Sequence, residues 1–114
     1  MGFRRVASLA GLAPATPTRV EVDGQPVCLV RIGDVVKAIH DTCSHREWSL
    51  AEGMVWGNTV ECDLHGSCFD LDTGIPTSLP ATEPIPVFPV SIVGDDVHVD
   101  VSLVLNGAAI PDHR

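Results

Sequence analysis

Cys43-Ser44-His45 and Cys62-Asp63-Leu64-His65 are the two short runs on which the reading of this chain turns. Each joins one thiol to one imidazole, and residues 46–61 separate them. Thiolate and imidazole are both metal ligands, so two loops that each open on a cysteine could meet at one metal centre. Outward from the motifs, residues 41–86 are rich in Cys, His, Gly, Pro and Thr and keep no helical or strand period. That composition marks an irregular, loop-rich subdomain. Within it, residues 60–62 and 67–71 read as short strands, and Asp72-Thr73-Gly74 as a tight turn. Pro76, Pro80, Pro84, Pro86 and Pro89 stiffen the segment after that turn.

The flanks have a different texture. Residues 3–8 read as a first strand, and residues 9–12 as a single helical turn ended by Pro14. Residues 18–22 alternate, with Val20 and Val22 on one side. Asp23-Gly24 is a strong hairpin signal that leads into a return strand over 27–32. Gly33-Asp34 turns the chain again into a strand over 35–39. After the subdomain, residues 87–93, the turn at Gly94-Asp95-Asp96 and residues 97–101 form a closing hairpin. The expected fold is therefore all-β: an antiparallel sandwich or barrel-like base carrying an inserted subdomain at about 41–86. One domain is expected over 1–104, with a C-terminal tail at 105–114 that looks frayed over 106–114.

Composition narrows the functional classes. With 114 residues, the chain has room for one modest core and none for a second catalytic domain. Aromatic residues make up 4% and Tyr is absent, so the core rests on Val, Ile and Leu, which suits strands. A formal net charge of −8 argues against nucleic acid, whose phosphates need Lys and Arg. It favours basic protein surfaces or simply solubility. No apolar run approaches the roughly 20 residues that cross a bilayer. The pair Arg4-Arg5 is followed by a stretch too short and too broken by Gly11 and Pro14 for a twin-arginine leader. Val6 stands where myristoylation needs Ser or Thr. A cytoplasmic monomer is expected.

Two metal readings compete for the motifs. One zinc would accept two Cys and two His, but zinc sites usually space like with like, and here each pair is mixed. A [2Fe–2S] cluster with two Cys on one iron and two His on the other is the alternative. The surrounding residues separate them. C-S-H-R-E-W-S-L-A-E-G at 43–53 and C-D-L-H-G-S-C-F-D at 62–70 resemble the Rieske family, and D-T-G-I-P-T-S-L-P-A at 72–81 is similar to that family's proline-rich loop.

The resemblance runs over about residues 3–101 and implies one Rieske-type [2Fe–2S] cluster. Cys43 and Cys62 would ligate the inner iron, and His45 and His65 the outer iron. It also implies a branch. High-potential members carry a further cysteine in each motif, joined as a clamp; Trp48 and Leu64 stand at those positions here. Phe69 stands where those members place a Tyr hydroxyl against a ligand sulfur. Ser67 keeps the family's serine, which donates to a bridging sulfide, and Pro80 belongs to the loop over the cluster. Fewer donors to the cluster imply a potential at the low end of the Rieske range, near about −150 mV. Residues 48–53 look like the ferredoxins of bacterial ring-hydroxylating dioxygenase systems.

The implied function is one-electron transfer. A flavin-dependent or iron–sulfur reductase would be the donor and a terminal oxygenase the acceptor. The small Rieske subunit of an assimilatory nitrite reductase and an auxiliary ferredoxin of cluster assembly are the alternatives. The other candidates take plainer roles: Cys28 as a buried filler, Cys68 as packing near the cluster, His40 as a strand-end residue, His98 facing solvent and His113 in the tail. Trp48 is expected to shield the cluster from water. Glu47, Glu52, Asp63, Asp70 and Asp72 are either docking charges or ordinary solvated ones.

Overall fold

The computed structural model describes residues 2–44, 48–63, 66–79 and 81–110. Ten strands and one turn of 3-10 helix occur among them. A middle sheet joins β2 (Thr18–Val22), β3 (Gln25–Ile32), β4 (Val35–His40) and β8 (Val87–Phe88) in that order. A second sheet has the order β1 (Arg4–Ser8), β10 (Asp96–Val99), β9 (Val90–Val93). The third, β5 (Met54–Trp56), β6 (Thr59–Glu61) and β7 (Cys68–Asp70), lies inside the loop-rich subdomain. Strand pairs in all three are antiparallel.

Local chemistry explains the meander of the middle sheet. Asp23 and Gly24 take φ of 49° and 82° between the paired residues Val22 and Gln25. Two positive φ values make the turn whose twist matches the flanking strands, and Asp-Gly is among the pairs that accept them most readily.

Alternation along the middle sheet then builds two cores, one on each face. From β3, Val27 and Leu29 point to the core shared with β9 and β10, whereas Cys28 and Val30 point to the subdomain. In β4, Val36 and Ala38 take the first side and Ile39 the second; in β8, Phe88 and Val87 divide likewise. Each large aliphatic side chain removed from water contributes roughly 1.5–3 kcal/mol relative to exposure. The middle sheet is thus the wall between an apolar base and the subdomain.

Two expectations need correction. Residues 87–93 do not form one strand. Pro89 divides them into β8 in the middle sheet and β9 in the outer one, because a residue without an N–H cannot donate to a continuous ladder. The chain changes sheets there. The tail is not frayed at its start either. Leu105 N donates to Val87 O at 2.8 Å. The Asn106 carboxamide donates to Thr73 O (2.9 Å) and Ile85 O (2.7 Å) and accepts from Val87 N (3.2 Å). A single side chain thereby ties the turn after β7, the end of the proline-rich loop and β8. Residues 111–114 lie outside the described residues. Neither β5 nor the turn at Leu50–Glu52 was expected from the residue pattern.

Among the described residues, no helix is long and apolar enough to cross a membrane.

Candidate metal centre

The first loop leaves the end of β4. Cys43 follows at 2% exposure, and its N–H donates to Trp48 O at 2.9 Å. Thr42 and Ser49 form an isolated antiparallel bridge just outside that bond, so the two stems of the loop are held together. The second loop leaves β6. Cys62, at 1% exposure, donates its N–H to Ser67 O (2.7 Å) and accepts from Gly66 N (2.9 Å). These bonds make a short, closed loop between β6 and β7. Both cysteines belong to the same buried core, with Leu50, Val60, Phe69 and Ala81 around them.

The proline-rich segment is bonded to both loops. Ser44 Oγ donates to Glu83 O at 2.6 Å. Cys68 N donates to Ser78 Oγ at 2.9 Å, and Ala81 N donates to Ser67 Oγ at 3.0 Å. Thr77 N adds a bond to Cys68 O at 2.7 Å. Gly74 lets the segment fold back: a Cβ there, at φ 71°, would stand 2.1 Å from Ile85 O. No larger residue fits this approach.

Several residues singled out from the sequence have definite surroundings. Ser67 is fully buried, and its hydroxyl oxygen accepts from Ala81. Phe69 is fully buried on β7 opposite Val60. Cys28 is fully buried on the subdomain side of β3. Burial first, and the nearby charge of Asp41 second, push its thiol far up, so it stays protonated and acts as packing. His40 ends β4, fully buried; Thr42 N donates to its Nδ1, leaving Nε2 to donate to Gln25 Oε1 at 3.2 Å. Cys68 is half-buried, with Sγ 3.8 Å from Gly66 O.

Others differ. His98 is half-buried rather than solvent-facing, with Nδ1 3.3 Å from Ser91 O. Trp48 is 38% exposed and lines, with Arg19, Pro26 and Asp41, a cavity of about 330 Å³ at the base of the first loop. Two of the candidate docking charges have structural roles. Asp70 Oδ1 accepts from Asp72 N and Thr73 N to close the turn after β7, and Asp72 pairs with Lys37 of β4. His45, Glu47, Leu64, His65 and Pro80 lie outside the described residues.

Sequence reasoning missed Asp41. It is 1% exposed and two residues ahead of Cys43. Burial pushes its carboxyl up from the ordinary carboxylate range, against the opposing pull of Ser49, Ala51 and Arg19. An acid next to a motif is commonplace in a chain of this charge; only its partners, far along the chain, distinguish it.

The residues present fit a metal–sulfide group. Two buried thiols, each at the mouth of its own loop, enter one core, and no disulfide joins any of the four cysteines. Soft thiolates are the ligands that iron–sulfur clusters use.

Comparison with known proteins agrees. The model of the Rieske [2Fe-2S] domain matches residues 3–89. The ferredoxin component of biphenyl 2,3-dioxygenase from Rhodococcus jostii (strain RHA1) is 39% identical over 101 residues, covering 89% of this chain and 94% of the relative. Among solved structures, the ferredoxin of carbazole 1,9a-dioxygenase from Nocardioides aromaticivorans IC177 superposes with a TM-score of 0.84 at 40% identity, covering 87% of this chain and 97% of that one. A chain from a complex of reduced oxygenase and oxidized ferredoxin in carbazole 1,9a-dioxygenase superposes with a TM-score of 0.81 at 34% identity, covering 96% and 97%. With buried paired thiols, an all-β fold and these relatives in agreement, the chain belongs to the Rieske [2Fe–2S] domain family and is an electron carrier of the ferredoxin type.

Proposed function

We propose that Cys43 and His45 from the first loop and Cys62 and His65 from the second hold the single [2Fe–2S] cluster, thiolates on the inner iron and imidazoles on the outer. The chain then passes electrons singly from a flavin-dependent or iron–sulfur reductase to a terminal ring-hydroxylating oxygenase. The observation that carries this reading is the convergence of Cys43 and Cys62, from separate loops, on one buried core. When bound, such a cluster takes up and gives back one electron, and two neutral imidazoles in place of two thiolates make that uptake easier.

The chain's own residues supply the rest. The core around Cys43 and Cys62 keeps water from the thiolates, which supports the cluster against hydrolysis. Ser67 accepts from Ala81, so its hydroxyl proton remains to be donated between the loops, as the family's serine does to sulfide. Phe69 has no hydroxyl to add a second donor, which keeps the potential low. The net charge of −8 steers the carrier to basic patches on its partners, with weak and transient docking. Reduced thiols in metal motifs fit a cytoplasmic setting, and the chain is read as a monomer working as one domain.

The test is anaerobic reductive titration of the purified red-brown protein, which should take up one electron per chain. His65→Cys should lower the midpoint, because it adds negative charge to the cluster, or lose the cluster. Wild-type spectra and midpoint in that variant would remove His65 from the ligand set.

A further inference from the structure

One buried acid stands at the stem of the first loop, and its bonds reach both stems and the wall behind them. Asp41 N donates to Pro26 O of β3 at 3.0 Å. Its carbonyl accepts from Leu50 N at 2.6 Å, beyond the loop. Its Oδ1 accepts from Ala51 N at 2.9 Å, and its Oδ2 accepts from Ser49 Oγ and from Arg19 Nη1 of β2, the latter at 3.3 Å. The segment between Asp41 and Ser49 contains the first motif, so every one of these bonds restrains where the loop starts or where it ends.

We propose that Asp41 is the positioning residue of the first cluster loop. Its carboxylate locks residues 49–51 to the end of β4 and to β2, and this fixes the direction from which Cys43 enters the core. The inference rests on the reading of Cys43 and His45 as ligands.

Two features separate this role from ordinary packing. A carboxylate taken to 1% exposure is costly, and an apolar residue of like volume would hold a core at lower cost. Its acceptor oxygens are also directed to the far stem of the loop and to β2, not to β4, which it follows. The second loop has no matching acid among the described residues. It is tied instead to the proline-rich segment through Ser67.

The test compares Asp41→Ala, Asp41→Asn and Ser49→Ala with Val36→Ala, a truncation in the core on the other face of the middle sheet. Purified holoproteins are challenged with an iron chelator, and their reduced EPR spectra and midpoint potentials are recorded. Asp41→Ala should lose its cluster about tenfold faster than wild type, in line with residues that orient metal ligands, with displaced EPR g-values. Asp41→Asn keeps one acceptor for Ala51 but turns an amide towards Arg19, and should fall between. Val36→Ala should lower the melting temperature while keeping wild-type spectra and cluster loss. Should Asp41→Ala fail to fold, Asp41→Asn and Ser49→Ala are judged on the same measurements. The proposal is overturned if the folded Asp41 variants keep wild-type spectra and cluster loss, or change only as Val36→Ala does. Full iron and sulfide in Cys43→Ala would instead defeat the ligand reading, whatever the Asp41 variants do.

Discussion

The two faces of the middle sheet carry cores of similar residue types but are held in different ways. On the base side, Val27, Leu29, Val36, Phe88, Val97 and Val99 interlock between strands whose ladders supply the backbone bonds. On the subdomain side the strands are three residues long, and loops are joined by side-chain bonds between Ser44, Ser67, Ser78 and Asn106 and distant backbone. The base depends on area removed from water, which is non-directional and tolerates exchange of similar side chains. The subdomain depends on geometry, where one lost acceptor leaves a buried donor unmet. A redox carrier gains from such a division: the base supplies stability, and the loops around Cys43 and Cys62 are fixed by directional bonds.

The division can be attacked from both sides. The largest effect on stability should come from the base. Phe88→Ala is expected to cost about 3–5 kcal/mol, the range for a deleted buried ring, while the visible spectrum of folded holoprotein stays that of wild type. Thermal unfolding followed by far-ultraviolet CD, beside the visible spectrum, checks both halves. A displaced cluster spectrum in that variant would break the claim that the wall insulates the loops.

A smaller loss with a larger change at the cluster is expected for Gly74→Ala. Its methyl would meet Ile85 O and Asn106 Nδ2 on a left-handed backbone. The proline-rich segment must move, at a cost of about 1–3 kcal/mol. Faster cluster loss under chelation should accompany the lower melting temperature; a fall in melting temperature alone would place this turn with the base.

The smallest effect concerns Lys37 and Asp72, which join β4 to the turn after β7. The Lys37 ammonium, helped by Asn58, holds the Asp72 carboxyl below its ordinary range. A carboxyl lowered in the folded state contributes stability that is complete above its unfolded value and is lost as pH falls through the folded one. Lys37→Ala should therefore lower stability slightly at neutral pH and converge on wild type as pH falls below the ordinary carboxylate range, which flattens the acid limb of the stability–pH profile. The pair is solvent-exposed, so the difference should stay under about 1 kcal/mol. An unchanged acid limb would show that the pair does not couple wall and turn.

The same division governs what could be read in the sequence. The hairpins of the base announce themselves, because Asp23-Gly24 and the alternation around it are local signals of turn and strand. The kind of cofactor was legible because metal chemistry restricts residue types at fixed spacing. Pro89 was visible, but its consequence, a change of sheet, depends on which edges are open. Asp41 and Asn106 were not legible. Each looks like a common polar residue until the fold brings to it partners from Arg19 in one case and from Thr73 and Ile85 in the other. Side-chain bonds across such separations leave no pattern in a single sequence.

Pulsed EPR of the reduced protein, grown with isotopically labelled imidazole nitrogens, addresses the ligand set most directly. Two inequivalent nitrogens strongly coupled to the reduced iron are expected, with one lost in a His45 or His65 variant that still binds iron. A cluster signal with no coupled imidazole nitrogen, or purified protein without iron and acid-labile sulfide after anaerobic reconstitution, would contradict the account.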